Sequence, residues 1–445
     1  MKEIAVVICN YNKKEYLLKC IGSLLKSTYT NFDVYVIDNA SMDGSVNAVL
    51  EQYRDSVNII RNEENLGGSG GFNSGIKAVV NNGYKYIYLL DNDVILDKDA
   101  LCELYEFMEV NYTTGIVGSK IYSMDNPDNV QEFGSYIDFS TFNMKLRNNG
   151  NIDSNSDMTF IECDYVPACS ALIRVEAILK VGLIDEQYFV YWDDIDLGYR
   201  LKSAGYKVFA SSKSKVWHKG GGTVRNNTFG TYYFWRNRVH FFKKCCSDDD
   251  IERFVSRLFD DIFQAMYACN YIGKYSSIKT ILMAVDDALN GIRGRAPENR
   301  IMDVENIDDK FTNILKDIKK VLVIHNSNIK ILLDVVNKIK NVNTEIQITI
   351  AAKNLEELNN QFEDIEKVEI QSLDNLCVYD LICKTCYHIF DARDNMEENI
   401  VYVDRFFNTI TSEKDREYLS NYNNMYNMLK NTLYYVLLNK CLKKR

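Results

Sequence analysis

Two carboxylates two positions apart, in Asp91-Asn92-Asp93, follow directly on the apolar run Tyr86 to Leu90. At the end of a strand such a pair can bind a hard divalent ion that keeps open positions for phosphate oxygens. A solvated turn is the plainer alternative. A second acidic group, Tyr191-Trp192-Asp193-Asp194-Ile195-Asp196, sets three carboxylates beside aromatic rings. The run from Ile195 to Leu201 has helical character, so Asp193 and Asp196 share a face while Asp194 points elsewhere. Crowded like charges cost energy unless a cation or a function compensates, and an aromatic wall can raise a carboxylate's pKa toward that of a useful base. Acids stabilised at a helix N-terminus by the macrodipole are the ordinary explanation. Both readings stand for Asp193; the functional one is taken for Asp194. His218 is one of four histidines, and a lone histidine is more often packed than ligating, so its reading depends on the other motifs.

A fourth feature is Asn65-Leu-Gly-Gly-Ser-Gly-Gly-Phe-Asn-Ser-Gly75. It reads as a loop between a strand and a helical segment Ile76 to Val80, where backbone N–H groups and a helix N-terminus can hold an anion. So many glycines favour close approach of backbone to a ligand over a simple turn. The loop fits neither G-x-G-x-x-G nor G-x-x-x-x-G-K-[ST], which speaks against a dinucleotide-dependent oxidoreductase and against a P-loop enzyme.

These residues need a scaffold. Ile4 to Ile8, Val34 to Ile37, Val57 to Ile60 and Tyr86 to Leu90 read as strands, separated by helix-period segments, the pattern of a parallel sheet flanked by helices. Leu17, Leu18, Ile21, Leu24 and Leu25 make one apolar helical stripe. In open sheets of this kind ligands bind beyond the carboxyl ends of the strands, so the loops after Ile8, Ile37, Ile60 and Leu90 should converge on one crevice. Residues 110 to 225 read as more irregular. From Phe229 to Arg295 the pattern is helical, with Phe254, Leu258 and Ile262 on one stripe, and a boundary is expected near Gly291 to Asn299. Beyond it, Lys320 to His325, Glu345 to Ile350, Leu381-Ile382 and Ile400 to Val403 read as strands of a second, smaller α/β domain. Its first loop, His325 to Asn328, has no glycine. The expected division is 1–240, a helical extension 241–300, and 301–445.

Composition narrows the function classes. The 445 residues carry 52 Lys plus Arg against 62 Asp plus Glu, a formal charge of −10, which argues against a nucleic-acid binder working through a general basic surface. With 46% apolar and 26% charged residues the chain is globular. No run approaches the ~18 apolar residues of a membrane span, and Met1 to Ile8 leads straight into a strand, so a cytoplasmic protein is expected. The C-terminal Leu433 to Leu438 with Lys440, Lys443, Lys444 and Arg445 can form either a packed helix, which is preferred, or a peripheral contact with an anionic membrane. Of twelve cysteines only Cys383 and Cys386 form C-x-x-C. Reduced thiols are expected rather than a zinc site.

Taken in order, Ile8-Cys-Asn-Tyr-Asn12, Val36-Ile-Asp-Asn-Ala-Ser41 with Asp43-Gly44, the Asn65 to Gly75 segment, Asp91-Asn-Asp93, Trp192-Asp-Asp-Ile-Asp196 and Trp217-His218 resemble the GT-A glycosyltransferases of family two. The glycine segment with Phe72-Asn73 is most similar to the rhamnosyltransferase and galactofuranosyltransferase branch. The resemblance covers residues 1 to about 240 and, more loosely, the helices to Arg295. It implies a GT-A, Rossmann-like domain and an inverting, metal-dependent transfer from a dTDP- or UDP-sugar, with dTDP-L-rhamnose foremost.

Site residues follow from the same resemblance. Tyr11 and Asp38 would hold the base, Asn65, Gly68 and Asn73 the diphosphate and sugar, with Asp91 and Asn92 also facing the donor. Asp91, Asp93 and His218 would bind Mg²⁺ or Mn²⁺, Asp194 would be the catalytic base, and Trp192 and Asp193 would meet the acceptor. Cys9 stands where several members have Thr. Relatives of this kind extend cell-wall, capsule or lipid-linked glycans or decorate proteins such as flagellin, so a glycan, lipid-linked glycan or glycosylated protein is the expected acceptor. The domain after residue 305 lies outside the resemblance and is read as acceptor-docking or as forming a homo-oligomer. The competing reading from another class is a catalytically silent nucleotide-sugar-binding scaffold.

Overall fold

The computed structural model describes residues 2–147, 151–152, 159–220, 226–372, 376–393 and 396–442. The chain divides into two compact units, one of Met1–Asp260, Lys279–Asp303 and Leu437–Arg445, the other of Asp261–Ile278 and Val304–Val436.

The first unit is built on a mixed sheet whose main path runs Asn151–Ile152, Asn129–Glu132, Thr114–Ser123, Ser170–Arg174, Tyr86–Asp91, Ile4–Asn10, Phe32–Asp38, Asn58–Arg61. The last four are mutually parallel and correspond to the four expected strands. The near-continuous apolar character of the two central ones follows from burial on both faces: Ile4 to Ile8 and Tyr86 to Leu90 are fully enclosed. The order reverses between Tyr86–Asp91 and Ile4–Asn10, which opens a crevice at their carboxyl ends. The first helix, Lys14–Leu24, buries Leu17, Cys20, Ile21 and Leu24 against this sheet. Leu25 falls at its C-cap and is exposed, so the expected stripe ends one residue early.

The stretch that reads as irregular, 110 to 225, supplies the antiparallel half of the sheet. Ser170–Arg174 pairs with Tyr86–Asp91, and Lys207–His218 runs parallel to Thr114–Ser123 and antiparallel to Val94–Leu96. Three helices follow, Phe229–Cys245, Asp248–Ile272 and Tyr275–Asn290.

The glycine segment is a correction. Rather than a loop before Ile76, it is already helix from Gly67 to Val79. The glycines that lower its helix propensity are required by close packing on the sheet. A Cβ on Gly71 would lie 2.3 Å from Cys9 Sγ, and one on Gly75 would lie 2.3 Å from Val7 Cγ1.

The second unit is a smaller α/β layer with strand order Glu366–Glu369, Gln347–Ala352, Lys320–Ile324, Leu381–Thr385, Val401–Val403, Thr409–Ile410. The first five are parallel and the last antiparallel. The first and last in this order escaped the sequence reading because both are short and Glu366–Glu369 is polar. Helix Ile329–Val342 covers one face with Ile331, Leu332, Val335, Val336 and Ile339. Cys383 and Cys386 are both buried here.

Among the described residues no helix is long and apolar enough to cross a membrane. The terminal helix Tyr435–Leu442 buries Cys441, and Lys440 pairs with Asp286 at 2.6 Å. Lys443, Lys444 and Arg445 lie outside the described residues.

Candidate active site

At the reversal point, carboxamides tie the loops together. Asn10 donates to Ser41 Oγ at 3.1 Å and to Ser45 Oγ at 2.9 Å, and accepts from Asn92 Nδ2 at 2.7 Å. Three loops thereby share one fully buried side chain. Asn39, also buried, accepts from Asn62 Nδ2 and the Leu66 N–H and donates to Asn65 Oδ1 and the Gly67 carbonyl. This fixes the start of the glycine helix. Asp38 is buried at the end of its strand and accepts from the Ser41 N–H. Tyr11, next to Asn10 in sequence, is exposed on the first loop.

Asp91, Asp93 and His218 form the one cluster of candidate metal-binding side chains among the described residues, with donor atoms all within 4.8 Å of one another. Pairing of Lys207–His218 with Val94–Leu96 brings His218 opposite Val94. Its Nε2 lies 3.3 Å from Asp93 Oδ1 and 3.8 Å from Asp91 Oδ2. Gln131 orients the ring, with Oε1 at 3.2 Å from Nδ1 and Nε2 donating to the His218 carbonyl. Burial and the neighbouring Asp93 charge raise the Asp91 pKa to about 6. Burial would raise Asp93 too, but the hydrogen bond from His218 and the charges of His218 and Lys13 outweigh it and hold Asp93 well below the usual carboxylate range. Lys13 Nζ sits 2.5 Å from Asp93 Oδ2. Two carboxylates with one imidazole are a donor set that can hold a divalent cation.

The acidic helix Asp193–Ser203 begins after a strained turn in which Phe189, Tyr191 and Trp192 all have positive φ, 67°, 62° and 71°. Bulky residues in this region cost about 1–3 kcal/mol each and persist only when their surroundings over-determine them. Here the determinant is the following helix. Asn237 Nδ2 donates to the carbonyls of Tyr188, Val190 and Tyr191 at 2.9, 2.7 and 3.0 Å. Arg236 reaches the carbonyls of Tyr188 and Gly294 at 3.0 and 2.7 Å. The Trp192 ring is enclosed by Phe234, Phe241 and Phe242. Because misplacing a reacting group by about 1 Å can cost about 10²-fold in rate, Asn237→Ala is expected to lower kcat by about that factor while donor affinity persists. An unchanged kcat would show that the turn holds itself.

The three acids divide their work. Asp196, fully buried, pairs with Arg200 and Lys244, each at 2.7 Å. Asp193 accepts from Ser69 Oγ at 2.8 Å, joining this helix to the glycine helix. Asp194 Oδ1 meets only the N–H of the next residue, at 2.8 Å. Desolvation, then the charges of Asp193 and Glu132, push the Asp194 pKa well up.

A cavity of about 650 Å³ collects Gly68, Asp91, Trp192, Asp193, Asp194 and His218 in one wall. Tyr11, Asp38, Asn65, Asn73, Asn92 and Asp93 lie outside that lining. The Asn73 carboxamide is spent on the Ile184 backbone, donating to its carbonyl at 2.7 Å and accepting from its N–H at 3.1 Å. Asn92 is spent on Asn10. The sequence reading missed Lys13, Ser69, Gln131, Glu132, Tyr165, Arg236 and Asn237. Lys13, Ser69, Gln131, Arg236 and Asn237 depend on partners far along the chain, Glu132 and Tyr165 on their place in the cavity wall, and only the buried Arg236-Asn237 pair, polar within the aromatic Phe229–Cys245 helix, left a local trace.

Residues 5–182 match the family model described as glycosyl transferase family 2. Among curated proteins, the chain is 25% identical over 252 residues to glycosyltransferase GlyG of Streptococcus pneumoniae, covering 55% of this chain and 80% of that protein. It is 28% identical over 213 residues to the amylovoran biosynthesis glycosyltransferase AmsB of Erwinia amylovora, covering 46% and 67%. Similarity to galactofuranosyltransferase GlfT2 of Mycobacterium tuberculosis is 23% over 196 residues, covering 40% and 31%.

Proposed function

We propose that the first unit, whose residues 5–182 match the family model described as glycosyl transferase family 2, is an inverting, metal-dependent glycosyltransferase with Asp194 as catalytic base. The observation that carries this reading is the cavity in which Asp194, almost unengaged, shares a wall with Asp91 and His218.

Asp91, Asp93 and His218 would hold Mg²⁺ or Mn²⁺, which when bound offsets the charge that grows on the departing diphosphate. Asp38 and Tyr11, on the loops tied by Asn10, hold the nucleotide base. Asp194 takes the proton of an acceptor hydroxyl as its oxygen bonds to the anomeric carbon. The bond from that carbon to the phosphate oxygen breaks on the opposite face, so the configuration inverts. Asp194 serves this role because desolvation raises its proton affinity. The acceptor is a glycan or a glycan-bearing lipid or protein at the cytoplasmic side, and the second unit docks it or joins copies of the chain.

The donor proposed first is dTDP-L-rhamnose, on the likeness of the Gly67–Gly75 segment. UDP-galactofuranose follows, on the similarity to GlfT2. The test is binding and slow hydrolysis of dTDP-L-rhamnose, UDP-galactofuranose, UDP-glucose, UDP-N-acetylglucosamine and GDP-mannose with Mn²⁺ or Mg²⁺, then with chelator. One donor hydrolysed only with metal is the expected result. Binding of a donor without metal-dependent hydrolysis would favour the silent scaffold, and absence of binding to every donor would count against both readings.

A further inference from the structure

The second unit carries a feature that the transfer chemistry does not use. Its sheet ends in a hairpin, with Val401–Val403 antiparallel to Thr409–Ile410, and the turn between these strands is held from within. Asp404, fully buried, accepts from the Phe406 N–H at 2.8 Å, from the Asn408 N–H and Nδ2 at 3.0 Å each, and from the Ile389 N–H at 3.3 Å. Phe407 lies in the left-handed region, with φ 61°, a conformation that a bulky residue keeps only where its surroundings over-determine it. The turn fixed in this way presents Phe406 to solvent, 59% exposed. The Arg405 guanidinium lies 4.6 Å from the Phe406 ring centre and 4.2 Å from that of Tyr387. A ring that is exposed yet braced loses little freedom when a ligand settles on it.

Beside this ring is a cavity of about 220 Å³ whose wall includes Tyr271, Lys274, Asp308, Phe406 and Asn408, all of them in the second unit. The volume is below the ~300–1,000 Å³ of sites for larger ligands, which limits the occupant to about one ring. Among the described residues the Asp308 carboxylate and the Lys274 ammonium form no hydrogen bond or ion pair, and Asn408 Oδ1 accepts no hydrogen bond. The wall holds two acids, Asp308 and Asp309, and two lysines, Lys274 and Lys310, so it offers an ionic ligand no net charge to seek. An apolar side chain from another protein would cover Asp308 and Lys274 without pairing them, at a cost. A sugar ring meets both kinds of surface, with a face of C–H groups for the aromatic ring and hydroxyls that donate and accept.

We propose that Phe406, Asp308, Asn408 and Lys274 form a binding site in the second unit for one uncharged sugar residue of a glycan. The inference rests on the transferase reading and gives the docking role of the second unit its residues and its ligand class. The sugar lays its C–H face on Phe406, its hydroxyls donate to Asp308 and to Asn408 Oδ1, and one of them accepts from Lys274. A glycan held here is kept at raised local concentration for the transferase unit of the same chain.

The test uses the full chain. Saturation-transfer NMR titrations compare the methyl glycosides of glucose, galactose, mannose, rhamnose and N-acetylglucosamine with methyl glucuronide. At least one neutral glycoside should bind, more tightly than the glucuronide. Phe406→Ala and Asp308→Ala should each weaken that binding about tenfold with donor affinity kept, and Asp194→Asn should leave it in place. Both substituted side chains lie at the surface, so an unchanged melting temperature separates lost binding from lost folding. Binding of no neutral glycoside, affinity unchanged in both variants, or binding that disappears in Asp194→Asn and persists in Phe406→Ala would each overturn the site. Failure of the wild type to bind any donor with metal would instead strike the transferase reading, while sugar binding sensitive to Phe406 would still stand, so the two failures are distinguishable.

Discussion

Asp194→Asn is expected to lower the rate of sugar transfer by about 10³-fold, within the usual range for losing a general base, and to leave donor affinity within about twofold, as a change confined to a group that binds the transition state does. The substitution keeps size and helix start, and Asn can still accept the Ile195 N–H that Asp194 Oδ1 accepts at 2.8 Å. What it removes is the proton acceptor. The wild-type pH profile adds an independent reading. A base works only when unprotonated, and desolvation raises the Asp194 pKa. Activity should therefore be lost on acidification well above the pH near 4 at which an ordinary carboxylate protonates, and rise to a plateau above that limb. Isothermal titration of donor and a kcat profile measure both. Loss of donor binding in Asp194→Asn would assign the residue to the donor instead.

The second large effect concerns the cation. Asp93→Asn should weaken Mn²⁺ binding by more than about 100-fold, because losing a group that merely orients a ligand already costs about 10–100-fold. Asp93 is 3% exposed and lies at the centre of the cluster, with His218 at 3.3 Å and Lys13 at 2.5 Å. The amide preserves shape but removes the charge that both neighbours face. Direct Mn²⁺ binding, by electron paramagnetic resonance of free ion, reads this without any turnover. Wild-type affinity in the variant would place the ion elsewhere or exclude it from the site.

Much of the fold was legible because burial leaves a plain signal. Ile4 to Ile8 and Tyr86 to Leu90 are enclosed on both faces, so their residues are apolar without interruption. The glycine helix was not legible as a helix. Local propensity argues against five glycines in a helical run, and the reason for them, contact with Cys9, Val7 and Ile37 on neighbouring strands, exists only after the sheet forms. The division of labour among the acids shows the same limit. That Asp196 is a structural ion-pair member follows from Lys244, 48 residues away, and that Asp193 is anchored follows from Ser69, 124 residues away. Spacing set Asp194 apart only by its helix face and the family resemblance supplied its role; that no such partner claims it is visible only in the fold. Glu132, at the end of a short strand, and Tyr165, between two strands, belong to a region of weak periodicity and gave no sign until the antiparallel half of the sheet brought them to the cavity.

The most direct measurement of the central claim is the anomeric configuration of the sugar first released when the bound donor is hydrolysed with Mn²⁺, followed by proton NMR before mutarotation. A base at Asp194 on the face opposite the diphosphate predicts release of the inverted anomer, with the signal abolished by chelator and by Asp194→Asn. Release of the retained anomer, at undiminished rate in Asp194→Asn, would contradict the account.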